Sequence, residues 1–173
     1  SKDISLSNLR KHFGMVLQDT WIFSGTILDN IKYAKPNATN EEIELAIAKS
    51  HVDSFINSLP DGLNTYITSK EGLSEGQRQM ISIARVMLVN PEIVILDEAT
   101  SNIDTRSEKL ITDSFDEMMK SKTSIVIAHR LSTIKQADII IVLKDGHIIE
   151  TGNHKELMNK QGFYYKMYSS QYK

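Results

Sequence analysis

At 173 residues the chain is long enough for one domain, or for one domain with a small insert. Charged residues at 24% and a hydrophobic set at 40% exclude a disordered or low-complexity chain. The formal charge of -2, from 20 Lys+Arg and 22 Asp+Glu, offers no global basic surface, so no nucleic-acid partner is expected. No cysteine is present, which removes disulfides, thiolate metal sites and cysteine nucleophiles. The longest apolar run, residues 139–143, is far short of the roughly 20 residues that span a bilayer. No cationic, apolar leader opens the sequence, and the absence of cysteine fits a reducing, cytosolic setting.

Residues 11–33 read as a strand ending near Leu17, followed by a loop through Ser24 and Gly25. Thr39 with Glu42 three positions on is a capping-box signal, and Ile43, Ala46 and Ile47 follow at helical spacing. Pro60-Asp61-Gly62 closes that region as a turn. The clearest helix covers residues 74–90: Met80, Ile83, Ala84, Met87 and Leu88 form one apolar stripe, Ser74 and Gln77 form a second capping box, and Asn90-Pro91 stops it. The apolar runs 93–96 and 124–128 flank a helical stretch near 106–120. This strand, helix, strand order predicts a parallel sheet buried on both faces. Residues 138–143 and 147–150, joined through Lys144-Asp145-Gly146, predict a hairpin, and a tail helix is expected from about His154 to Gln171.

Two constellations carry chemistry. Asp97-Glu98 ends a buried apolar strand, which places two carboxylates at the carboxyl edge of a parallel sheet, where α/β proteins bind ligands. One can hold Mg²⁺ through water while the other polarises an attacking water; equally, either can simply cap the next helix. Ser74, Gly76 and Gln77 open the strong helix, whose unpaired N–H groups and positive dipole end suit an anion such as phosphate. Capping alone explains Ser74 and Gln77 but not Gly76, which costs about 1 kcal/mol relative to alanine in a helix.

In this order, Leu73-Ser74-Glu75-Gly76-Gln77 and Asp97-Glu98 resemble the signature motif and Walker B segment of the ATP-binding cassette (ABC) ATPases. Gln18 matches that family's Q-loop, Ser101-Asn102-Ile103-Asp104 its D-loop and His129 its switch histidine. The segment from Gln18 to Ile27 with Asn30-Ile31, and the tail around Glu150 to Leu157 and Gly162 to Tyr165, resemble the exporter branch. Too few positions separate Gln18 from Ser74 for the long coiled coil of chromosome-maintenance relatives.

The resemblance implies an α/β, RecA-like P-loop NTPase core with a mostly parallel sheet, made of residues 1–18 and 91–173, and an inserted, mainly α-helical subdomain at 19–90. It implies ATP and Mg²⁺ as cofactors. Asp97 would hold the metal through water, and Gln18 would be both metal-binding and catalytic by sensing Mg²⁺ and the attacking water. Glu98 would be general base, His129 would contact the γ-phosphate and orient that water, and Ser74, Gly76, Gln77 and Asp104 would meet nucleotide across a dimer. The implied partners are a second nucleotide-binding domain and the transmembrane domain of an exporter, and the implied place is the cytoplasmic face of the cell membrane. A soluble ABC ATPase of translation or repair, and a non-catalytic module lending only its signature, are the alternatives.

Two family elements are missing: no Gly-Lys pair occurs, so no Walker A loop is present, and neither is the upstream aromatic that stacks on adenine. The stretch from Thr65 to Gly72 is about one residue shorter than usual. The sequence therefore reads as the later part of a nucleotide-binding domain, inactive by itself. The missing Walker A strand should leave a slot between strands 124–128 and 138–143, closed by collapse of those strands or by a neighbouring chain.

Overall fold

The computed structural model describes residues 5–68, 71–97, 103–128 and 131–170. It divides into two compact units, Ser1–Ile127 and Ala128–Lys173. The first runs α1 (Leu6–Lys11), β1 (Phe13–Val16), β2 (Gly25–Thr26), α2 (Ile27–Lys32), α3 (Asn40–Lys49), α4 (Asp53–Ile56), β3 (Tyr66–Ile67), α5 (Glu75–Val89), β4 (Ile93–Asp97), α6 (Thr105–Met119) and β5 (Thr123–Ile127). The second runs α7 (Leu131–Gln136), β6 (Ile140–Lys144), β7 (His147–Gly152), α8 (His154–Lys160) and α9 (Phe163–Ser170).

Helix starts follow local chemistry. Reciprocal capping boxes pair Thr26 with Asp29 in α2, Thr39 with Glu42 in α3, Ser74 with Gln77 in α5 and Asn153 with Glu156 in α8. Helix α2 replaces the loop expected after β1; its Thr-x-x-Asp start was the available signal. Asn90 ends α5 in the left-handed region at φ 52°, immediately before Pro91.

The first unit's main sheet is three-stranded and parallel, in the order β1-β4-β5. Val16, Leu96 and Val126 are register partners, and Asp97 faces Ile127. Gly14, Val16, Val94 and Leu96 are buried on one face, in the unit that also buries Met80, Ile83 and Ala84 of α5 and Ile111, Phe115 and Met118 of α6. On the opposite face Phe13, Met15, Ile125 and Ile127 remain partly exposed. Helices α5 and α6 pack on each other and share one apolar cluster with the buried face.

In the second unit β6 and β7 form a hairpin whose two-residue turn, Asp145-Gly146, has positive φ at both positions (50° and 78°), as right-twisting hairpins require. Among the described residues β5 pairs with β4 within the first unit, and β6 pairs with β7 within the second. The tail is two helices rather than one. Gln161 takes φ 52° and breaks it, and both Glu150 carboxylate oxygens accept from the first amides of α9, those of Phe163 and Tyr164, at 2.8 Å.

The segment between β1 and α3 is held by one buried polar group. Asn30, with no exposed surface, donates to the Phe23 and Thr26 carbonyls (both 3.0 Å) and accepts from the Phe23 amide (3.2 Å). Arg85 of α5 donates to its Oδ1 (2.7 Å), to its backbone carbonyl (2.7 Å) and to the Trp21 carbonyl (2.5 Å). Asn30→Ala strands the Arg85 donor and the Phe23 backbone. It should lower unfolding free energy by about 2–3 kcal/mol in urea titration; a change within about 0.5 kcal/mol would contradict this bonding scheme.

Candidate functional site

The parallel register brings the carboxyl ends of β1, β4 and β5 to one edge. Asp97 is the last residue of β4 and half-buried; Gln18 lies two residues past β1 and is exposed. Glu98 and His129, and Ser101 and Asn102 of the D-loop match, fall outside the described residues; in sequence Glu98 directly follows β4 and His129 comes two residues after β5. A half-exposed carboxylate and an exposed amide supply the hard oxygen donors that Mg²⁺ prefers, so Asp97 and Gln18 fit such an ion.

The signature residues sit at the start of α5. Ser74 Oγ accepts from the Gln77 amide (3.3 Å), and Gln77 Oε1 accepts from the Ser74 amide (2.9 Å). This box occupies the side chains and two of the amides, leaving the Glu75 and Gly76 N–H groups of the first turn for an anion, helped by the helix dipole. An anionic phosphate fits that end, whereas no glycine-rich loop followed by lysine is present to cradle a nucleotide's own phosphates.

Gly76 now has a packing account that the sequence did not show. A Cβ there would lie 2.6 Å from Ser107 Cβ and 3.2 Å from Ile103 Cγ2, so the first turns of α5 and α6 touch through this glycine. Asp104 caps α6, its Oδ1 accepting from the Ser107 amide at 3.0 Å; that bond holds its carboxyl below the usual carboxylate range. The D-loop match and the signature match are thus neighbours through Gly76 and Ser107.

A second link was also missed. Thr20, two residues past Gln18, donates to Gln79 Oε1 at 2.5 Å, and Gln79 is buried on α5. With Arg85, this ties the chain after Gln18 to the signature helix at two points along its length. The signal was available: Gln79 and Arg85 are polar residues flanking the apolar stripe of α5. Arg85 is also stacked 5.7 Å over Trp21, and burial pulls its pKa below the ordinary guanidinium value, though it remains cationic.

With this geometry in view, comparison with known proteins places the chain. Residues 1–101 match the ABC transporter family model, and the chain belongs to that family. It is 50% identical over 95% of its length to the fatty acid ABC transporter ATP-binding/permease protein of Mycobacterium bovis, covering 26% of that protein. It is 48% identical over 99% of its length to the ABC transporter ATP-binding protein YfiC of Bacillus subtilis, covering 28% of it. A bacterial Atm1-family ABC exporter solved with ATP bound shares its fold, with a TM-score of 0.87, 37% identity, 97% of this chain covered and 30% of that one. The fold is therefore the RecA-like α/β fold of an ABC nucleotide-binding domain, and the chain spans well under a third of the length of these relatives.

The packing at Gly76 makes a signed prediction. In an unencumbered helix alanine is better than glycine by about 1 kcal/mol. Here Gly76→Ala should destabilise by about 1–3 kcal/mol through overpacking, and Ser107→Gly in the same chain should recover most of the loss. Stabilisation by the single change in chemical denaturation would contradict the contact.

Proposed function

We propose that the chain is the C-terminal part of the nucleotide-binding domain of an ABC exporter, coupling ATP hydrolysis to export of a substrate across the membrane. The single observation that carries this is the shared edge. Parallel pairing puts the strand ends that lead into Gln18, Asp97-Glu98 and His129 side by side, in a chain whose relatives are named ATP-binding/permease proteins. Those fused relatives favour an exporter over a soluble ATPase of translation or repair.

In this reading residues 1–18 and 91–173 are core and 19–90 are mainly the helical subdomain. Mg-ATP, when bound, supplies the electrophilic γ-phosphoryl group. Asp97 and Gln18 would hold the cation, which would neutralise charge on the phosphates. Glu98 takes the proton of the attacking water, and His129 fixes that water's direction. Ser74, Gly76 and Gln77, with Asp104 nearby, meet the γ-phosphate held by a second nucleotide-binding domain, because an α5 N-terminus offers amides but no cradle. This sequence holds no loop and lysine of the kind that positions ATP's own phosphates, so the chain alone is inactive; positioning is the larger part of phosphoryl-transfer catalysis. A transmembrane domain is the second partner, at the cytoplasmic face of the membrane. Exposed Trp21, Tyr33 and Tyr66 on the first unit give it an aromatic surface to meet.

The test is Glu98→Gln in a transporter of the relatives' length. General-base assistance contributes about 100- to 10,000-fold, so phosphate release should fall by that factor while ATP binding and ATP-driven dimerisation persist. Near-normal turnover would remove Glu98 from the base role.

A further inference from the structure

Away from the sheet edge, four lysines converge on one cleft of the first unit. Lys35, Lys49, Lys120 and Lys122 line a cavity of about 420 Å³, with Glu42 and Glu117 as its carboxylates. That volume lies at the lower end of small-molecule sites, which run about 300–1,000 Å³. Its walls are α3, the C-terminal ends of α5 and α6, and the turn into β5.

The carboxylates are already committed. Lys35 Nζ lies 2.6 Å from Glu42 Oε1, Lys49 Nζ lies 3.1 Å from Glu117 Oε1, and Lys120 Nζ lies 2.5 Å from Glu117 Oε2. Asp116 adds to the field on Lys120 but is itself exposed. Lys122 is left without a carboxylate partner among the described residues, and it is half-buried. Burial, and then repulsion from Lys49, pull its pKa below the ordinary lysine value, the condition that a bound anion relieves. The cleft thus holds two more positive than negative side chains. Leu45 and Val89 stand exposed beside those charges, over buried Leu88 and Met118.

We propose that this cleft binds a small amphiphilic anion, a phosphate or carboxylate head placed at Lys122 and Lys49 with a short apolar tail along Leu45 and Val89. A cation in such a cleft lacks the full hydration it would have on open surface, so a head group gains more there than at scattered lysines. The tail gains by covering apolar area that the fold leaves open.

The test is calorimetric titration of the full chain with monomeric octyl phosphate, inorganic phosphate and octanol, beside co-sedimentation with phosphatidic acid vesicles. Saturable binding of octyl phosphate is expected, at least tenfold tighter than inorganic phosphate, with none for octanol. Lys122→Met should weaken it about tenfold, while Lys109→Met on the exposed side of α6 leaves it unchanged. Glu117→Gln, which releases Lys49 and Lys120, should tighten it. The opposite signs of the Lys122 and Glu117 changes separate a binding role from a folding defect. Equal affinity in Lys122→Met, inorganic phosphate binding as tightly as octyl phosphate, or attachment to vesicles without uptake of free octyl phosphate would each overturn the proposal.

Discussion

Helix α5 is the member through which the first unit is braced, and its contacts are of different physical kinds. Its first turn meets α6 with no room for a methyl group, at Gly76 against Ser107. Its middle accepts the Thr20 hydroxyl at Gln79, and Arg85 grips the Trp21 and Asn30 carbonyls. Its last turn packs Val86 against β1, where a Cβ on Gly14 would come within 2.6 Å. A steric contact, two polar clamps and a second steric contact leave this helix little freedom to rotate or slide without losing one of them. The signature end, the segment after Gln18 and the sheet are therefore held in a single frame.

That frame bears on the proposed function because a hydrolytic site of the proposed kind needs groups from several strand ends and from a helix terminus in fixed relation. The parallel register fixes the strand ends; α5 fixes the helix terminus and the segment leaving β1. The capping box at Ser74 and Gln77 does two jobs at once. It satisfies the polar side chains in the resting fold and leaves the Glu75 and Gly76 amides pointing out of the helix end. A phosphate arriving there would leave both capping-box bonds in place.

Much of this was legible in the sequence, where local chemistry decides the outcome. The stripe from Met80 to Leu88, the boxes at Thr39 and Ser74, the stop at Asn90-Pro91 and the Asp145-Gly146 turn are short-range signals, and each formed. The Asp97 carboxylate stands at the carboxyl end of its strand, as the apolar run before it requires. What was not legible depends on distant partners. Helix α2 is under two turns long, too short for periodicity, and rests on Asn30 meeting Arg85 across the fold. The break at Gln161 depends on Glu150 capping α9 from another element. The exposed face of the sheet could not be foreseen because apolar strand runs report what a face can bury, not what covers it. Gly76 fits both an approachable backbone for phosphate and a close helix crossing; only the fold brings Ser107 against it.

The proposed function implies a division of labour: this chain would supply the water-activating edge and the signature helix, while its sequence holds no phosphate cradle of its own. Calorimetric titration of the chain with Mg-ATP tests that division most directly. Cradle amides and a lysine supply most contacts to the β- and γ-phosphates in P-loop enzymes. The account therefore predicts no saturable heat at micromolar nucleotide. Saturable micromolar binding to the 173-residue chain alone would contradict it, by showing that its own residues build a nucleotide cradle.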